Sequence, residues 1–242
     1  MRITYIGHSG FSVETETANF IFDYYKGEVP ALDAALPLVV FASHRHPDHY
    51  NPEIFSWMKN YPDITYVLDR NCGIKWKIQE CEEKGVPLKE HLIRVRKNTT
   101  CEIMLSCGRK LKIQMLRSTD AGVAFLIRYD GNVIYHGGDL NCWQSEGEPD
   151  TYNANMERNF MREMDKLSGV AIDVAFVPFD PRQQKYMDKG MEIFLQKAEP
   201  VKVFPMHFWG DYHSIQDFVF RHPEYAGQVV QIKKEGEQFT FP

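Results

Sequence analysis

"ASHRHPDHYNPE", residues 42–53, gathers three histidines and an aspartate within six positions, directly after the apolar run Leu38-Val39-Val40-Phe41. The whole chain has nine histidines. A packed core gives no reason to collect a third of them beside a carboxylate, because every buried imidazole needs a hydrogen-bond partner. Metal binding does give a reason. His44-Arg45-His46-Pro47-Asp48-His49 reads His-x-His-x-Asp-His, and imidazole nitrogen with carboxylate oxygen suits zinc, manganese or iron. Residues two apart in an extended segment point the same way, so His44 and His46 can grip one ion from a strand end. Asp48 and His49, past the bend at Pro47, can turn toward a second.

The surrounding pattern alternates strands and helices. "RITYI", "FSVET", "NFIFD", "PLVVFAS" and "ITYVL" are short runs enriched in β-branched and aromatic residues, separated by turn residues. A helix is expected from Asn51, with Pro52 at its first position and Glu53 in its first turn. Another is expected over "GIKWKIQECEEKG", closed by Gly85. The middle returns to strands: "HLIRV", "TCEIML", "KLKIQML", "VAFLIRY" and "NVIYH". Asp130-Gly131 makes a hairpin of the last two. "NANMERNFMREMDKLSG" has helical spacing. Then come strand "IDVAFVPF", helix "GMEIFLQKA", strand "VKVFPM", helix "SIQDFVFRH" and two short terminal strands. "FSVETETANFIFDYY" and "AFLIRYDGNVIYHGGD" echo one another as hairpins whose second strand ends near an aspartate, Asp23 and Asp139.

Bulk properties narrow the class. The 242 residues are 43% apolar and 25% charged, which is ordinary for a soluble globular protein with a real core. The formal charge of −5 and the lack of a long basic run give no indication of a nucleic-acid surface. No stretch is long and apolar enough to span a bilayer, and no linker or low-complexity tract interrupts residues 1–242, read as a single domain. Five cysteines without a CxxC, behind an opening that does not resemble a signal peptide, imply reduced thiols and a cytoplasmic location.

Two later stretches complete the metal constellation. "VIYHGGDL" ends a strand in Gly137-Gly138-Asp139, where glycines let the backbone bend close to another group and the carboxylate can bridge two ions. "VKVFPMHFWGD" places His207 at another strand end.

The motif, then a Gly-Asp after a hairpin, then a late strand-end histidine, resembles the metallo-β-lactamase superfamily, in particular its cytosolic metal-dependent hydrolases. The match runs from "ITYIGHSGFSVET" to "FPMHFWGDY". The resemblance implies an α/β fold, a four-layer αβ/βα sandwich of two mixed β-sheets flanked by helices. It implies a dinuclear site for two divalent metal ions, zinc first and manganese or iron as alternatives. His44 and His46 would bind the first ion, Asp48, His49 and His207 the second, and Asp139 both. Asp23 matches an early aspartate that braces the metal loop without ligating. One departure stands out. The family supplies a further histidine between the motif and the bridging aspartate, and "LRSTDAGVAFLI" has none. Asp120 is the only strong ligand there, so either it replaces the histidine or the first site is weak or empty; a plain turn before Gly122 is the competing reading for Asp120.

The implied chemistry is hydrolysis of a small-molecule substrate by a hydroxide held at the metal centre, with Asp48 orienting it or taking its proton. Ester, lactone, amide and phosphodiester bonds all fit. An iron-dependent oxidoreductase on the same scaffold and a metal-binding protein without turnover are the alternatives, and no feature specifies the oligomeric state. Of the other polar residues, His8 reads as a turn residue or a support of the metal edge, and His136 as packing or support. His91 and His222 read as surface residues. Arg182 in "FDPRQQ" is a candidate for binding an anionic substrate group, with a solvated arginine the commoner case, and the four tryptophans read as core.

Overall fold

The computed structural model describes residues 1–241. The chain divides into two compact units. The first comprises Met1–Arg96, Ile103–Lys110 and the chain from Glu235 onward; the second comprises Lys97–Glu102 and Leu111–Lys234.

The first unit is built on a seven-stranded sheet. Its strands are β1 (Arg2–Gly7), β2 (Gly10–Glu14), β3 (Asn19–Phe22), β4 (Leu38–Ala42), β5 (Ile64–Asp69) and β6 (Leu92–Val95), with β13 (Gln238–Thr240) returning to the edge. The order is β13-β1-β2-β3-β4-β5-β6. The β1–β2 and β2–β3 pairs are antiparallel, whereas β3–β4, β4–β5 and β5–β6 are parallel. All five residues of β4 are buried, as an apolar run at the centre of a parallel sheet must be. Phe41 stacks on Phe22 of the neighbouring strand at 4.8 Å. Helix α1 (Lys75–Glu83) and a 3-10 helix (Pro52–Lys59) pack on this sheet: Ile54 and Phe55 of the 3-10 helix and Cys81 of α1 join the strand residues Tyr66 and Leu68 in one core cluster. Asn51 caps the 3-10 helix by accepting the Glu53 N–H, as the Asn-Pro-Glu order predicts.

The second unit carries a six-stranded sheet in the order β12-β11-β10-β9-β8-β7. Its strands are β7 (Thr99–Met104), β8 (Lys110–Arg117), β9 (Val123–Tyr129), β10 (Asn132–His136), β11 (Val174–Pro178) and β12 (Lys202–Met206). The β8–β9–β10 segment is antiparallel, and β10–β11–β12 is parallel. Asp130 and Gly131 turn the β9–β10 hairpin with φ of 48° and 83°, the conformation of a two-residue hairpin loop. Helices α2 (Asp150–Met164), α3 (Met187–Ala198) and α4 (Tyr212–Arg221) belong to this unit.

The two mixed sheets with flanking helices are the ones expected. The internal echo has a structural counterpart: in each unit a hairpin is followed by parallel strands, β2–β3 then β4, and β9–β10 then β11. One expectation is corrected. Of two terminal strands only β13 forms; Val229 makes an isolated bridge to Val203, because "GQVVQ" finds just that one strand partner before the chain moves on. No helix among the described residues is long and apolar enough to cross a membrane.

Candidate functional site

Side chains with metal-binding chemistry collect at the carboxyl ends of the parallel strands, where loops of open α/β sheets place functional groups. In the first unit β3 and β4 run side by side, with Phe22 opposite Phe41. Asp23 therefore leaves β3 next to Ser43 leaving β4. Asp23 is fully buried, with φ of 41°. Its carboxylate accepts the Ser43 N–H at 2.7 Å, the Ser43 hydroxyl at 2.6 Å and His49 Nδ1 at 2.7 Å.

The motif then folds back on itself. The N–H groups of His49 and Tyr50 both donate to the His46 carbonyl at 3.0 Å, so the bend at Pro47 returns His49 to His44. The His44 ring lies 4.5 Å from that of His46 and 4.3 Å from that of His49. His44 and His49 are buried, and His46 and Asp48 are half-buried. Ser43 Oγ sits 2.9 Å from His44 Nδ1. With Nδ1 of His44 and His49 engaged by Ser43 and Asp23, Nε2 is the nitrogen each ring presents for ligation. Asp23, His44 and His49 also sit close enough to form a three-ligand cluster by distance alone. The Asp23 oxygens already serve three donors, the arrangement expected of a brace.

His8 belongs to this unit and is buried. It has a left-handed backbone with φ of 54°, and its N–H donates to the Tyr5 hydroxyl at 2.8 Å. Its Nε2 approaches Asp48 Oδ2 at 3.4 Å. The His8 imidazole beside it holds the Asp48 carboxyl well below the usual carboxylate range, against the opposing effect of partial burial. His8 is thus a neighbour of the motif's aspartate and not an ordinary turn histidine.

The second unit repeats the logic. Strands β10, β11 and β12 are parallel neighbours, with His136 opposite Phe176 and Pro178 opposite Met206. Their carboxyl ends deliver Asp139, Asp180 and His207 to one edge. Gly137 is required here, because a Cβ would press on the Pro178 side chain and the Phe176 carbonyl. Gly138 turns the chain with φ of 51° and donates its N–H to His136 Nδ1, which gives the buried His136 a supporting role. Asp139 and His207 are both buried, with His207 Nε2 3.5 Å from Asp139 Oδ1.

Asp180 is the residue that sequence reasoning missed. It is buried and accepts His207 Nδ1 at 2.9 Å, so the ring turns Nε2 toward Asp139. Arg182 binds both carboxylate oxygens of Asp180, and Trp209 Nε1 donates to it at 3.4 Å. Burial raises the Asp180 pKa, but the hydrogen bonds from His207 and Arg182 together carry it below the usual range. The signal was present in "FDPRQQ", an aspartate directly after a buried strand, but only the β11–β12 pairing shows its target. Arg182 is therefore already committed to Asp180. Its guanidinium also stacks over the Trp209 ring at 4.5 Å, while most of its side chain stays exposed.

Other expectations shift as well. Asp120 lies exposed in a bend over residues 119–122, where its N–H donates to Ser118 Oγ at 3.1 Å. It joins none of the clusters of three metal-binding side chains among the described residues. His91 and His222 are half-buried and not surface groups: His91 Nδ1 lies 2.6 Å from the Ile64 carbonyl oxygen, and His222 packs on Phe218 beside Asp188. Trp76 and Trp209 are about half exposed, at 54% and 49%, so the tryptophans are not all core. No disulfide joins the five cysteines, and none of them joins a metal-binding cluster among the described residues.

Solved structures share this architecture. A metallo hydrolase from the archaeon Ignicoccus hospitalis, Igni18, is 18% identical over 100% of this chain and 99% of its own, with a TM-score of 0.66. YhfI, a metallo-β-lactamase fold protein from Bacillus subtilis, is 16% identical over 99% of both chains at a TM-score of 0.59. CmlA, a diiron β-hydroxylase from Streptomyces venezuelae, is 14% identical over 99% of this chain but 54% of its own, at 0.60. No curated protein matches. Residues 2–153, well over half of the sequence, match the family model described as a beta-lactamase superfamily domain. With the His44-to-His49 motif inside that match and a mixed sheet in each unit, the chain belongs to the metallo-β-lactamase superfamily.

Proposed function

We propose that the protein is a metal-dependent hydrolase of a small-molecule ester, lactone, amide or phosphodiester. We read the two units as halves of one metallo-hydrolase domain. His44 and His46 are assigned to a first divalent ion, Asp48, His49 and His207 to a second, and Asp139 to both. Asp120 is the remaining candidate at the first ion. The donor set fits zinc, and its share of carboxylate oxygen also fits manganese or iron.

The observation that carries this reading is the fixing of buried imidazoles by the chain's own groups. Ser43 engages His44 Nδ1, Asp23 engages His49 Nδ1, and Asp180 engages His207 Nδ1. Histidines that ligate a metal are held in this manner, with the second nitrogen bound to a carboxylate or hydroxyl. Divalent ions bound there would supply a nucleophilic water at neutral pH and stabilise negative charge on the substrate. Asp48 is the carboxylate available to orient that water or to take its proton, and its lowered pKa favours the orienting role. His8 lies beside the Asp48 carboxylate, its Nε2 3.4 Å from Oδ2. Asp180 and Arg182 hold the His207 ring against rotation.

Elemental analysis of natively purified protein tests the proposal, together with turnover of ester, lactone and phosphodiester substrates. Close to two transition-metal ions per chain are expected, with a clear drop in His46→Ala. Wild-type protein that binds no such ion from added zinc, manganese or iron would sink it. A diiron β-hydroxylase shares the fold, so oxidation is the second reading; iron content with oxygen consumption and no hydrolysis would select it.

A further inference from the structure

We propose that the second unit carries an oxyanion-binding site, for a phosphate, sulfate or carboxylate group, in the cavity between the end of β8 and helix α2. The cavity has a volume of about 210 Å³ and is lined by Arg117, Ser118, Arg162, Glu163 and Lys166, with Asn159 at its side. That is smaller than the roughly 300–1,000 Å³ of pockets for drug-sized ligands, and it suits a single tetrahedral or planar anion.

The polar inventory is one of donors. Arg117 and Arg162 make no ion pair and no side-chain hydrogen bond among the described residues, whereas arginines such as Arg2, Arg182 and Arg221 each bind a carboxylate. Ser118 is only 5% exposed, and its hydroxyl oxygen accepts the Asp120 N–H. No acceptor within the described residues takes the Ser118 hydroxyl proton, so it is available to a ligand in the cavity. The single acid of the lining, Glu163, is buried and spent. It accepts the Arg117 N–H at 3.1 Å and the Lys166 ammonium at 2.5 Å. Lys166 is further fixed by Asn98 Oδ1 at 3.0 Å.

Glu163 therefore organises the floor and balances Lys166, while two guanidiniums remain for the cavity. Guanidinium forks match oxyanions bidentately, and a buried hydroxyl donor adds direction. This arrangement is separate from Asp139 and His207, which the proposed hydrolysis uses. It adjoins them through one residue: Thr119 follows Ser118, and its hydroxyl donates to the Asn141 carbonyl at 2.6 Å in the loop after Asp139.

The test uses the full chain with inorganic phosphate and sulfate as probes. Isothermal titration and thermal shift are measured against chloride at matched ionic strength. Saturable binding is expected for the wild type and for His46→Ala. The Arg117→Ala/Arg162→Ala double variant should bind at least ~tenfold more weakly, since charge-assisted hydrogen bonds are the strong ones. Arg117→Lys/Arg162→Lys keeps the charge and loses the fork, so it should also weaken binding, and its circular dichroism controls for folding. Arg128→Ala, a substitution of another exposed arginine of the unit, should change nothing. Binding that disappears in His46→Ala but survives the double alanine variant would place the anion at the metal ligands and overturn the proposal. Binding that only tracks ionic strength would overturn it too.

Discussion

Asp23→Asn isolates the brace of the metal loop at almost constant volume. Asp23 serves three donors: the Ser43 N–H and hydroxyl, and His49 Nδ1. An asparagine can keep one oxygen on the Ser43 N–H. Its amide nitrogen then replaces Oδ2 and faces His49 as a donor. Two donors cannot share that 2.7 Å contact, so His49 must move its proton to Nε2 and accept at Nδ1. The tautomer that results has no lone pair on the nitrogen meant for metal. Loss of a buried charged acceptor costs about 1.5–3 kcal/mol per hydrogen bond. Recovery of one bond by the tautomer change leaves a stability loss of about 2–4 kcal/mol. Metal affinity should fall further, by roughly 10–100-fold, as for other partners behind a ligand. Competition with a chelator at neutral pH reads the affinity, and urea unfolding of the metal-free protein reads the stability. Asp23→Asn that binds metal within twofold of wild type, with His49 shown by NMR to keep its proton on Nδ1, would refute the reasoning.

Three further outcomes follow from the same structure. Asp180 titrates below its ordinary value of 3.8 in the folded protein, so its stabilisation is complete above that value and is lost as pH falls through the folded one. Asp180→Asn should therefore flatten the decline of the urea midpoint between about pH 5 and about pH 2, and parallel curves would contradict this. Gly190→Ala in α3 should gain about 1 kcal/mol from helix propensity alone. An added Cβ would instead collide with Asn141 Oδ1, whose amide group holds Gln183 beside the Asp139 loop, so a net loss of about 1–3 kcal/mol is expected, and a higher urea midpoint would show that the loop yields. Asp120→Ala separates ligand from turn residue: loss of metal from one site marks a ligand, whereas unchanged content with unchanged pH–rate profile leaves its exposed bend as its role.

The sequence by itself determined most of the strand and helix pattern, because local signals and packing agree there. The buried run Leu38–Ala42, the Asn51-Pro52-Glu53 helix start and the Asp130-Gly131 hairpin each carry their own cause. It also determined the His44-to-His49 motif, since four ligand-type side chains within six residues need no tertiary contact to be noticed. Tertiary structure decided which distant groups meet. Asp23 reaches Ser43 and His49 because β3 and β4 are parallel neighbours in register. Asp180 reaches His207 because β11 and β12 are as well, whereas Arg182 meets Asp180 locally, two residues further along the same turn. Exposure behaves the same way: His222 and His91 look alike to Asp120 in a string of letters, yet two pack against neighbours and the third lies in an exposed bend. Strand formation responds to a few adjacent residues, whereas the pairing of strand ends depends on the register of the whole sheet. No local stretch contains that register.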